Sequence, residues 1–182
     1  MNEIDILIDI SNRLEKLTIP YMLTGSLAMN YYAEPRMTRD IDLVVLIKQK
    51  MMPKLIENFN TDYYISRKEV EQAIKNNSMF NIIHNDSVIK ADFIIRKKSE
   101  YRKVEFKRRK SIKLRGKILY IVSKEDLIIS KLEWAKDSNS DLQKRDIINL
   151  LKKNYDQKYL KNWLIKLDLY NYFMEFIDER YL

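Results

Sequence analysis

The stretch from Thr24 to Val45 reads TGSLAMNYYAEPRMTRDIDLVV. Tyr21 to Thr24, at its front edge, predicts a short strand. Gly25-Ser26 predicts a tight turn, and Leu27 to Tyr32 a helix that Pro35 ends. After a Pro-Arg-Met-Thr loop that carries Arg36 and is followed by Arg39, Asp40 opens a second strand reaching Ile47. Its unbroken Leu-Val-Val-Leu-Ile run predicts an interior strand buried on both faces. Strand, turn, helix and strand in this order point to a mixed α/β body.

Upstream, Ile4, Leu7, Ile8, Leu14 and Leu17 recur at helical spacing over 3–17, and Pro20 stops the helix. Downstream, helices are expected at 50–59 and 68–75. Strands are expected at 63–65, 79–84 and 88–95, with a turn at Asn85-Asp86, and a last hairpin joins 109–114 to 117–122 around Arg115-Gly116. Beyond Ser123 the pattern is helical only. A Ser123-Lys-Glu-Asp126 cap opens a helix to about Lys136, and further helices follow at 141–153, 157–167 and 169–180. The expected organisation is a mixed central sheet flanked by helices over 1–122 and a C-terminal helical part over 123–182.

Only two glycines occur, against about 13 at average usage. Gly25 therefore sits where backbone geometry demands it, and a side chain there would block a ligand's approach to the main chain. Ser26 adds a hydroxyl beside the free N–H groups of a helix start, the outline of a phosphate site. Asp40 and Asp42 lie two apart on a strand, so both project from one face with Cα atoms about 6.6 Å apart. Two carboxylates so placed suit a hard cation such as Mg²⁺, which takes one or two carboxylates together with substrate phosphates. Asp92 interrupts the apolar strand Val88–Ile95. A buried carboxylate needs a partner, either a salt bridge to Lys90 or Lys48 or a metal ion. Three carboxylates holding two Mg²⁺ ions can activate a hydroxyl and stabilise leaving pyrophosphate, with Asp92 as general base or the ligand nearest the nucleophile. Arg36 and Arg39 are either solvated loop residues or phosphate contacts. Lys131 lies beside an apolar helix stripe, from which it snorkels to water or reaches a triphosphate.

The absence of cysteine and the single histidine, His84, exclude disulfides, thiolate chemistry and multi-histidine metal centres. No run of about 18 apolar residues suggests a membrane span, and the acidic amphipathic N-terminus does not resemble a signal peptide, so a cytoplasmic location is expected. The net charge of +8 is concentrated between Arg96 and Lys117, where twelve Lys or Arg meet two acids. That segment is either a solvated surface or a polyanion-binding one, with Tyr101 and Phe106 interleaved. His84 is expected to be structural, Trp134 and Trp163 to pack between helices, and the tyrosine-rich tail to bury against the domain or form a homodimer face.

Gly25-Ser26, thirteen intervening residues, Asp40-Ile-Asp42 and a distant Asp92 in an apolar strand resemble the signature of the polymerase-beta-like nucleotidyltransferase superfamily. Glu125-Asp126-Leu127 with Lys131-Leu132, then Lys144-Arg145-Asp146, is similar to the second half of abortive-infection nucleotidyltransferase toxins and related short bacterial nucleotidyltransferases. The resemblance implies that Lys131 binds a nucleotide phosphate and that Asp146 completes the nucleotide site. The expected activity is Mg²⁺-dependent transfer of a nucleoside monophosphate from an NTP to an acceptor hydroxyl. The basic segment tilts the acceptor toward tRNA or another RNA, with a protein or a small drug as other acceptors. A catalytically idle module that binds nucleotide, RNA or a partner protein is the alternative from another class.

Overall fold

A computed structural model describes residues 1–178 and residue 181 of the chain. Seven strands form one mixed sheet in the order β3-β4-β5-β2-β1-β7-β6. The strands are β1 (Tyr21–Thr24), β2 (Ile41–Val45), β3 (Tyr63–Ile65), β4 (Met79–His84), β5 (Lys90–Ile95), β6 (Lys110–Leu114) and β7 (Lys117–Ile121). β1 runs antiparallel to β2 and parallel to β7, while β2 runs parallel to β5. The helices are α1 (Glu3–Lys16), α2 (Gly25–Tyr32), α3 (Met52–Phe59), α4 (Arg67–Asn76), α5 (Glu100–Lys107), α6 (Lys124–Ser138), α7 (Asp141–Leu151), α8 (Gln157–Lys166) and α9 (Tyr170–Met174). A mixed α/β sheet flanked by helices is the class the sequence predicts.

Local chemistry explains these elements. Asn2 and Asp5 form a reciprocal capping box at α1, which buries Ile6, Leu7, Ile10 and Leu14. Arg115 and Gly116 both have positive φ, 47° and 84°, as a two-residue hairpin turn between β6 and β7 requires. Ser123 accepts from the Asp126 backbone at the start of α6. Asn139, in the left-handed conformation, ends that helix within the expected Asp137-Ser-Asn-Ser break.

The chain divides into two compact units. One comprises Met1–Leu27 and Met37–Val122, the other Ala28–Arg36 and Ser123–Leu182. The first holds the whole sheet. Phe93, fully buried, stacks on Phe80 with ring centroids 5.1 Å apart and meets Phe59 edge-on at 5.9 Å. In the second, Leu127, Ile128, Leu132, Ile147, Leu150, Leu160, Leu164 and Phe173 are buried.

Several expectations change. β2 is interior to the sheet but alternates: Ile41, Leu43 and Val45 are fully buried, whereas Asp42 and Val44 are half-buried. The apolar run hid the alternation because Val44 is apolar on the same face as Asp42. α5 lies inside the basic segment, where charged residues masked its pattern. Ser99 caps it, and Tyr101, Glu105 and Phe106 face inward. β5 starts at Lys90, not at Val88, which has φ 56° and is exposed. Trp163 is buried as expected, but Trp134 is 57% exposed and does not pack between helices. The last helix spans Tyr170–Met174, and residues 179 and 180 of the expected 169–180 helix lie outside the described residues. Among the described residues no helix is long and apolar enough to cross a membrane.

Candidate active site

Parallel pairing of β2 with β5 puts Asp42 directly opposite Asp92. Register partners share a face, so the two carboxylates project side by side. Thr24 on β1 is opposite Asp42, and Asn81 on β4 is opposite Asp92. One polar row, Thr24-Asp42-Asp92-Asn81, thus crosses four strands. The other face of β2 and β5 carries Ile41, Leu43, Ala91 and Phe93, all fully buried. Sequence reading missed Thr24 and Asn81, since only pairing reveals them.

Asp92 is 7% exposed. Its Oδ2 accepts from the Lys90 ammonium at 3.0 Å, while its Oδ1 is buried without a hydrogen-bond partner among the described residues. Asp40, at the mouth of β2, lies 3.6 Å from the same ammonium and is 57% exposed at its side chain. Lys90 is the salt-bridge partner that sequence considered for Asp92, and it joins Asp40 as well. Hydrogen bonding to Asp92 raises the Lys90 pKa above its ordinary value, outweighing partial desolvation.

Gly25 has φ +65°, and a Cβ built on it would lie 1.9 Å from Asp42 Oδ2. The missing side chain is therefore needed first by the neighbouring carboxylate. Ser26 is half-buried on α2, and Arg39 is exposed in the loop before β2. Among the described residues no three acids or histidines stand close enough to enclose a metal ion as placed. The donor set nonetheless fits Mg²⁺: hard carboxylate oxygens, one of them buried and unpartnered, and a bare glycine making room for another.

The helical unit holds a second cluster. Lys131 and Asp146 are each 4% exposed at their side chains, and the ammonium donates to Asp146 Oδ2 at 2.7 Å and to Gln143 Oε1 at 3.0 Å. Arg36 grips the same carboxylate in a bidentate manner, Nε to Oδ1 and an NH2 group to Oδ2, both at 3.0 Å. Lys131 therefore does not snorkel to water, and Arg36 is an Asp146 partner in place of a solvated loop residue. Burial opposes the Asp146 charge, but the hydrogen bonds from Arg36 and Lys131 outweigh it and hold its pKa below the usual carboxylate range. His84, buried at the end of β4, accepts from the Ser87 backbone N–H at 3.2 Å through Nδ1, the structural role expected of it.

No protein-family model matches this sequence, and no curated protein matches it either. Solved structures do. An antigenic nucleotidyltransferase-like protein from Paracoccidioides brasiliensis superposes with a TM-score of 0.54 at 17% identity, over 81% of this chain and 74% of that one. The fold is nucleotidyltransferase-like. A lincosamide antibiotic adenylyltransferase, with lincomycin bound, gives a TM-score of 0.53 at 13% identity, over 79% of this chain and 93% of that one. The antibiotic-resistance factor ANT(2'')-Ia gives 0.51 at 11%, over 84% and 85%. The polar row lies on the sheet of this nucleotidyltransferase-like fold.

Two predictions follow from these geometries. Gly25→Ala carries both the cost of a left-handed alanine, about 1–2 kcal/mol, and a clash with Asp42. Gly116→Ala, also at positive φ but with nothing within 4 Å of its Cβ, carries the backbone cost alone. Urea unfolding should show the larger loss for Gly25→Ala, and equal losses would contradict the close approach. Asp146→Asn should lower stability by about 3–5 kcal/mol at neutral pH by removing the one negative charge that Arg36 and Lys131 share. Because the folded-state pKa of Asp146 is depressed, its contribution is complete above about pH 4 and is lost as pH falls through the folded value. The gap between the two proteins should therefore narrow in acid, and a gap constant down to pH 2 would contradict the pairing.

Proposed function

We propose that this chain is a Mg²⁺-dependent nucleotidyltransferase that moves a nucleoside monophosphate from an NTP to an acceptor hydroxyl. The observation that carries the reading is the pair of carboxylates in register on β2 and β5, one oxygen of which is buried without a donor among the described residues. Asp40, Asp42 and Asp92 would hold the metal, and a site for two ions is the fuller form of the same proposal. Bound Mg²⁺ supplies Lewis-acid stabilisation of phosphate oxygens and of leaving pyrophosphate. Gly25 and Ser26 present main-chain N–H groups and a hydroxyl to phosphate. Asp92 takes the proton of the acceptor hydroxyl as its oxygen attacks the α-phosphorus, and the bond to the β-phosphate breaks. Arg39 contributes exposed positive charge for phosphate. The family resemblance adds Lys131 and Asp146 as nucleotide-binding residues, with Asp146 fixing the lysine.

For the acceptor, the basic segment favours RNA. Its arginines are turned to protein groups: Arg102 to Glu105, Arg115 to Asp5, and Arg109 onto the Phe106 and Tyr120 rings. Lys97, Lys98, Lys103, Lys107, Lys110 and Lys113 are exposed. Lysines of this kind are compact charges suited to a phosphate backbone and not to base reading. A small-molecule acceptor is the second reading, motivated by the fold shared with a lincosamide antibiotic adenylyltransferase and an antibiotic-resistance factor.

Purified protein incubated with α-labelled NTPs, Mg²⁺ and bulk RNA should release pyrophosphate and label RNA. The Asp40→Ala, Asp42→Ala double variant should fall by more than about 100-fold, the upper range for losses even outside the ligand shell. Label on an aminoglycoside or lincosamide and not on RNA would favour the second reading. No transfer to any acceptor from any NTP would sink the enzyme reading and leave an idle binding module.

A further inference from the structure

Lys90 stands two residues before Asp92 on β5, so both side chains leave the same face of the sheet. Its ammonium lies 3.0 Å from Asp92 Oδ2 and 3.6 Å from Asp40 Oδ1. A single cation thereby bridges the mouth of β2 to the middle of the polar row. We propose that the Lys90 ammonium is a resident stand-in for the divalent ion: it holds Asp40 and Asp92 in the metal-free protein and withdraws when the ion enters. This rests on the nucleotidyltransferase reading, and it adds a residue that sets when the metal can bind.

Three features carry the inference. Charge comes first: Asp42 and Asp92 stand in register on one sheet face with Asp40 just before β2, and Lys90 supplies positive charge to Asp40 and Asp92. Removing it would leave those acids repelling one another with no ammonium between them. Geometry comes second, because the ammonium contacts carboxylate oxygens that a hard cation would bind, at distances well beyond the 2.0–2.1 Å of Mg²⁺–oxygen bonds. The two cations therefore compete for the same oxygens. Mobility comes third: the Lys90 side chain is 39% exposed and has a flexible four-carbon stem. It can swing to water without opening the core, whereas a bidentate arginine would be held more firmly.

The consequence is an order of events. Without nucleotide, a divalent ion must displace Lys90 unaided and binds weakly. An NTP brings phosphate oxygens that both add ligands to the ion and offer the released ammonium a new anion. Metal and nucleotide thus enter together, and the carboxylates stay paired when neither is present.

The test is Mn²⁺ binding followed by electron paramagnetic resonance at low ionic strength, without nucleotide, on wild type, Lys90→Met and Lys90→Gln. Thermal unfolding of each in chelator and in Mn²⁺ accompanies it. Both variants should bind Mn²⁺ about tenfold more tightly than wild type, since a neighbouring positive charge is gone. Both should melt below wild type in chelator and gain more on adding Mn²⁺. General damage to the fold cannot tighten metal binding, and Lys90→Gln preserves chain length should Lys90→Met fold poorly. Equal or weaker affinity in both variants, with Mn²⁺ bound by wild type, overturns this proposal alone. Failure of both variants to bind Mn²⁺ without nucleotide also overturns this proposal, and failure of all three proteins to bind Mn²⁺ at millimolar concentration even with an NTP present overturns the metal-dependent reaction as well.

Discussion

Two carboxylates on adjacent parallel strands repel each other. At about the 4.8 Å strand spacing, with an effective dielectric near 20, that repulsion is about 3–4 kcal/mol. Asp42 and Asp92 are fixed in this relation by the pairing of β2 with β5, so the sheet cannot relieve it by moving either residue. Much of the surrounding structure answers to that constraint. Lys90 pairs with Asp92, Gly25 leaves space for Asp42, and Thr24 and Asn81 extend a polar row in which acids can be tolerated. Fully apolar residues on the opposite face anchor both strands. The cost of the pair is thus concentrated on one face and balanced by the core behind it.

Such a local charge excess is a feature of sites that handle a cation or a proton. The helical unit shows the opposite balance: two cations, Arg36 and Lys131, share one carboxylate at Asp146. There the geometry satisfies the acid, burial excludes water, and the carboxylate is held ionised. The two clusters illustrate how equal residue types take different roles. Asp146 is surrounded by donors, whereas Asp92 keeps one buried oxygen that no donor among the described residues reaches.

Much of this was legible in the sequence. The strand at 63–65 and that at 79–84 fall at the expected residues, because β-branched and aromatic runs bounded by turn residues leave few alternatives. Asp40, Asp42 and Asp92 stood out as acids in apolar strands, and the scarcity of glycine singled out Gly25. What sequence could not show was pairing. The juxtaposition of Asp42 with Asp92 depends on register across fifty residues of chain, and the places of Thr24 and Asn81 beside them also depend on strand pairing. The reason for Gly25 was also hidden: its missing side chain makes way for a carboxylate, a contact that no local pattern encodes. α5 was lost for a different cause, since helical spacing is hard to read where charged residues outnumber apolar ones.

The most direct measurement of the central claim is anomalous diffraction from a crystal grown with Mn²⁺ and a non-hydrolysable NTP analogue. The account predicts a manganese peak bonded to carboxylate oxygens of both Asp42 and Asp92, with the Lys90 ammonium moved off Asp92. A structure in which nucleotide is bound, Lys90 still bridges Asp40 and Asp92, and no metal touches either Asp42 or Asp92 would contradict it.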